Sequence, residues 1–158
     1  MALYLVQHGK SLSKDIDPDQ GLSQEGIAET KRIAEVAVNY RVNVSHIKHS
    51  VKKRAHQTAE IFASALSPAE GIMEVAGLKP LDDVTTIAAS LNPDEYTMLV
   101  GHLPFMDRMA SYLVTGSTNR PVFKFQNSGI VCLHKNPDTD SWVIVWTLMP
   151  NIGANDEF

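Results

Sequence analysis

His8, Arg54 and His102 are the residues of this chain whose types and settings could do chemistry. His8 follows the apolar run Leu3-Tyr4-Leu5-Val6 and precedes Gly9. His102 closes a second run of the same kind, Met98-Leu99-Val100-Gly101-His102, followed by Leu103-Pro104. Neutral imidazole is a nucleophile near neutral pH, and two histidines at two strand ends can converge on one crevice. Arg54 stands in Lys52-Lys53-Arg54, at the start of a helical stretch. The dipole of a helix favours acids at that end, so a basic first turn points to an anion facing it. Plain alternatives stand beside these readings: a buried strand running into an ordinary turn, and a solvated basic helix end.

The elements that must position these residues follow from periodicity. Leu3–Val6 forms a strand, and His8 falls just past its carboxyl end, where open α/β sheets place their ligands. Gly9 lets the backbone turn and approach a ligand closely. Residues 11–21 are a polar loop. Ser23 caps a helix with Glu25 in its first turn, and Ile27, Thr30, Ala34 and Val38 make its apolar face to about Tyr40. Gly26 costs helix propensity, so it needs a packing reason.

Val44–Ser50 is a second strand, and the basic helix that follows runs to Leu66 before Pro68. Gly71–Ala76 is extended, and Asp82 or Asp83 caps a short helix through Leu91. Tyr96–Val100 is a strand, and a helix after Pro104 ends near Gly116. Met106 and Met109 belong to its core side. Val122–Phe125 and Ile130–His134 read as a hairpin about Gln126–Gly129, and Trp142–Met149 adds one more strand. The fold class is α/β: a three-layer α/β/α sandwich with a mostly parallel central sheet and antiparallel strands at one edge. Residues 1–150 form one domain, and 151–158 a loose tail.

Composition narrows the function. With 158 residues and a formal net charge of −4, the chain is an ordinary globular length and too acidic for a general nucleic-acid binder. No apolar run approaches a membrane span, and the start lacks a signal-peptide pattern. The one cysteine, Cys132, sits in the apolar run 130–133 and has no partner for a disulfide, which fits a reducing, cytoplasmic location. His46 and His49 would lie on opposite strand faces, so no metal site is expected there. His56 and His134 read as surface or packing residues. Asn127 and Ser128 could reach the crevice or simply form a hairpin turn.

Four segments then resemble one family. Leu5-Val6-Gln7-His8-Gly9 resembles the Arg-His-Gly signature of the histidine phosphatase superfamily, with glutamine for arginine. Leu22-Ser23-Gln24-Glu25-Gly26 is similar to its Leu-Thr-x-x-Gly helix start. Ser50 to Ala59 is similar to its Ser-x-x-x-Arg-Ala-x-Gln-Thr-Ala segment, and Val100-Gly101-His102-Leu103-Pro104 to its Val-Gly-His-x-Pro segment. Order and spacing point to the small SixA-like branch with its phosphoglycerate mutase-like fold.

The resemblance implies that His8 takes up a phosphoryl group and that Arg54 and His102 hold phosphate oxygens. Gln7, Gly9, Lys10 and Gln20 fall at substrate-binding positions. The substrate is a phosphorylated protein histidine or a small phosphorylated compound, with no metal or organic cofactor and no nucleic-acid or membrane partner. Gln7 and Gln20 stand where arginines are usual, and a weakened or inactive phosphate-binding domain is therefore the alternative. Lys10, Lys14, Lys52 and Lys53 are the cations that could compensate. Glu74, Asp82 and Asp83 are the candidates for a general acid, each with a structural role as its alternative.

Overall fold

A computed structural model describes residues 1–153. The part of the expected tail at 154–158 lies outside the described residues. Six strands form one sheet: β1 (Ala2–Gln7), β2 (His46–His49), β3 (Ile72–Glu74), β4 (Tyr96–Gly101), β5 (Ile130–Lys135) and β6 (Trp142–Leu148). Their order is β3-β2-β4-β1-β5-β6. The first four run parallel, and β5 and β6 pair antiparallel at one edge.

Four helices connect them: α1 (Gln24–Asn39), α2 (Lys53–Leu66), α3 (Val84–Ser90) and α4 (Phe105–Thr115). The side chains of β1 alternate between the two faces, as a strand requires. Ala2, Tyr4 and Val6 pack with Ile33, Ala34 and Ala37 of α1 and Ala55, Ala59 and Phe62 of α2. Leu3 and Leu5 pack on the opposite face with Val84 of α3 and Phe105, Met106, Met109 and Leu113 of α4. The chain is thus a three-layer α/β/α sandwich.

Caps set the helix ends. The Ser23 hydroxyl accepts the Gly26 N–H, and the Asp83 carboxylate accepts the Thr85 N–H. The α2 N-terminus has no side-chain cap, and Gly116 closes α4 in the left-handed region. The Leu103–Pro104 peptide bond is cis.

Four details differ from the sequence reading. The buried face of α1 is Gly26, Glu29, Thr30, Ile33, Ala34 and Ala37, while Val38 is exposed. The apolar stripe expected around Ile27 and Val38 is therefore rotated, because small residues let α1 sit close to its neighbours. Residues 122–125 form no strand, since β5 takes β1 and β6 as partners instead. The short strands β2 and β3 keep only the paired centre of their apolar runs. Asn151 is not loose: its N–H donates to Gln126 Oε1 at 3.0 Å and its carbonyl accepts from Gln126 Nε2 at 2.8 Å.

Candidate active site

Parallel pairing brings three strand ends to one edge of the sheet. Gln7 is in register with Gly101, and His49 with Val100. The chain leaves each strand with one more ladder bond: His8 N–H donates to the Gly101 carbonyl, and Ser50 N–H to the Val100 carbonyl. His8, Ser50 and His102 therefore emerge side by side. The His8 and His102 rings lie 5.1 Å apart, centre to centre, at 59°.

One contact defines the state of His8. Its Nδ1 lies 2.7 Å from the Gly9 carbonyl oxygen. A carbonyl only accepts, so Nδ1 carries the proton and Nε2 keeps its lone pair. Burial lowers the pKa of the ring below its ordinary value, and the Arg54 charge lowers it further. The Gly9 bond opposes both, and the net direction is down. The His8 ring is therefore held neutral, with Nδ1 protonated and a lone pair on Nε2.

The backbone that carries His8 is clamped from several elements. Gly9 N–H donates to Thr58 Oγ1 at 2.9 Å, and that hydroxyl donates to the Arg54 carbonyl at 2.8 Å. Asn127 Nδ2 donates to the His8 carbonyl at 2.8 Å. Ser128 N–H donates to the Gln7 carbonyl, and the Ser128 hydroxyl meets Thr30 Oγ1 at 2.7 Å. A Cβ on Gly9 would stand 2.8 Å from Thr30 Oγ1, so only glycine fits here.

His102 is 2 % exposed. Its Nε2 lies 2.9 Å from Ser50 Oγ, and its Nδ1 is buried without a partner. Burial lowers its pKa to about 3, helped by the positive charge that His8, Arg54 and Lys52 bring nearby. A neutral ring with one nitrogen unmatched can offer that nitrogen to a bound anion.

Arg54, in the first turn of α2, is half-buried, and among the described residues no carboxylate pairs with it. Burial lowers its pKa, but an arginine stays charged. An unpaired guanidinium fork beside an uncapped helix N-terminus can take up an anion.

The other candidates divide. Gln20, with φ of 50°, shares a groove with Arg54. Gln7 ends β1, and its Oε1 is buried without a partner. Lys10 is engaged within the chain: its Nζ is 2.8 Å from Glu25 and 3.6 Å from Glu29. Glu25 of the α1 first turn and Glu29 one turn further on both face it. Lys53 is held by Asp17 at 2.9 Å. Glu74 is exposed on the edge strand β3. Asp82 accepts the Lys79 N–H and Asp83 caps α3, so both are structural. Cys132 is buried, and burial pushes its thiol up to about 12. Ser50 and Thr58 were not singled out from sequence. Ser50 is placed by the parallel register of β2 with β4, and Thr58 by the packing of α2 against Gly9.

Residues 3–82 match the family model of the histidine phosphatase superfamily (branch 1). The chain belongs to the histidine phosphatase superfamily. An uncharacterized protein of Picosynechococcus is 30 % identical over 142 residues, covering 84 % of each chain. Among solved structures, the protein histidine phosphatase SixA complexed with tungstate superposes with a TM-score of 0.82 at 22 % identity, covering 95 % of this chain and 97 % of that one. The phosphoserine phosphatase of Entamoeba histolytica, in complex with 3-phosphoglyceric acid, gives 0.70 at 14 % identity, covering 93 % and 96 %. These similarities show a shared fold across phosphatases of different substrates.

Proposed function

We propose that the protein is a phosphatase acting on phosphohistidine through a phosphoryl intermediate on His8. Family membership and phosphatase neighbours support a phosphatase. The observation that carries the reading is the His8 tautomer, with Nδ1–H on the Gly9 carbonyl and Nε2 free beside unpartnered His102 Nδ1 and Arg54.

In the first step the Nε2 lone pair forms a bond to phosphorus while the bond from phosphorus to the leaving nitrogen breaks. Arg54 and His102 stabilise charge on the equatorial oxygens, which is most of what phosphoryl transfer requires. In the second step water attacks the phosphohistidine, and inorganic phosphate leaves. A phosphohistidine substrate whose other ring nitrogen is protonated expels neutral imidazole. It needs no general acid. The overall reaction consumes one water and needs no metal or organic cofactor.

Incubation with a phosphohistidine peptide and a panel of phosphoesters tests the reading. Phosphate release should be fastest from the phosphohistidine, and rapid quenching should trap an acid-labile, base-stable phosphoryl group. His8→Ala should abolish both. Absence of release from every substrate would overturn the proposal. One observation favours a second reading: the buried amide of Gln7 brings no charge where the family has an arginine. Tungstate binding without any trapped phosphoryl group would support a phosphate-binding domain that has lost turnover.

A further inference from the structure

A groove of about 960 Å³ opens beside Arg54, far larger than a phosphoryl group needs. Its walls are three loops at the carboxyl edge of the sheet. Lys14 and Gln20 come from the loop after β1, Val51 and Lys52 from the loop after β2, and Lys79 and Leu81 from the loop after β3. Five of its side chains are lysine or arginine and two are aspartate, in a protein whose net charge is −4. The local field thus opposes the global one. Lys53 is already matched by Asp17, but no ion pair engages Lys14, Lys52 or Lys79 among the described residues. All three are exposed.

The groove is not only charged. Leu81 is 76 % exposed and Val51 43 % exposed on its rim. A small phosphorylated compound gains little from two exposed apolar side chains on the groove rim. A protein surface does, because interfaces combine apolar contacts with a complementary charged rim.

We infer that this groove is the docking surface for an acidic protein segment that carries the phosphoryl group into the site, with Lys14, Lys52 and Lys79 facing its carboxylates and Val51 and Leu81 its apolar side chains. The inference rests on the proposed phosphohistidine chemistry and adds what surrounds the phosphorylated residue. Selection then comes from the flanking sequence, and the phosphoryl site itself stays permissive.

The test reads binding, so it stands even if turnover fails. A fluorescent peptide bearing a stable phosphonate analogue of phosphohistidine is made with acidic flanks and, separately, with lysine flanks. By anisotropy the acidic peptide should bind at least about tenfold tighter at about 50 mM salt, and the gap should close by about 500 mM. Lys79→Glu with Leu81→Ser should remove most of the gap, with inorganic phosphate binding unchanged within about twofold. Circular dichroism checks the fold of the variant, and the salt series on the unaltered protein needs no variant. Equal affinity for the two peptides would overturn the inference. So would a variant that weakens phosphate and peptide alike, or competition by tripolyphosphate stronger than by an unphosphorylated acidic peptide. Failure of His8 to trap phosphate would leave this readout intact, so the two proposals fail separately.

Discussion

The Gly9 carbonyl holds the Nδ1 proton of His8, and the reactivity of the ring follows from that contact and from burial. Ser50 does for His102 what Gly9 does for His8. Lys52 N–H lies 3.4 Å from Ser50 Oγ, which leaves the hydroxyl proton free to point at His102 Nε2. With the hydroxyl so directed, Nδ1 carries the proton and can donate to an anion. Ser50→Ala should lower kcat by about 10- to 100-fold, the loss from one misdirected buried hydrogen bond, while KM changes little. Ring nitrogen shifts of His102 should show a mixed tautomer in that variant, and Ser50→Thr should restore much of the rate. Gln7 is the other position where one residue matters. Lys10, a cation two residues past His8, is paired with Glu25. Gln7→Arg should raise phosphate affinity or kcat/KM by about 10- to 100-fold, the range of an added charge-assisted hydrogen bond. An unchanged value for both would mean that residue 7 does not face the anion.

At the scale of elements, the loop between β1 and α1 is pinned from both sides. Gly26 is where the first turn of α1 meets that loop. A Cβ there would stand 2.1 Å from the Lys10 carbonyl oxygen, a backbone atom that cannot step aside cheaply. The packing reason that the sequence demanded for this glycine is this close approach. Gly26→Ala should cost about 1–3 kcal/mol or more by urea unfolding, despite alanine's better helix propensity. The 126–129 segment is the second pin. Asn127 forms a parallel bridge to Gln7 and holds the His8 carbonyl. Asn127→Ala should leave phosphate binding through Arg54 largely intact but slow the transfer step, read as a fall in kcat at nearly constant KM.

At the scale of the molecule, burying two histidines without charge couples stability to pH. The folded-state values of His8 and His102 both lie below the ordinary 6.5. As pH falls the unfolded chain therefore binds protons first, and protons favour unfolding. Stability should be full above about pH 6.5 and decline from there towards about pH 3, where His102 would charge in the folded state. The urea midpoint should drop between about pH 7 and about pH 5, and His102→Asn should flatten part of that slope. His8 should keep its nucleophilic form below the ordinary imidazole range, visible as a ring proton titration shifted to acid.

Much of this was legible in one dimension. Alternation and helical periodicity placed nearly every strand and helix, because each element must turn one face to a core. The Gln7-His8-Gly9, Arg54 and His102 segments named the family, and residues 3–82 match its model. The strand expected at 122–125 was lost because edge pairing is decided by which neighbours compete for β5, not by local propensity. The pairing of Lys10 with Glu25 was not legible, since it spans 15 positions and depends on how the loop folds back on α1. Ser50 meets His102 across 52 positions, through the register of β2 with β4. The tautomers of the two histidines were likewise a matter of tertiary structure. A sequence states that an imidazole is present; only the carbonyl and hydroxyl that the fold sets against it decide which nitrogen is free.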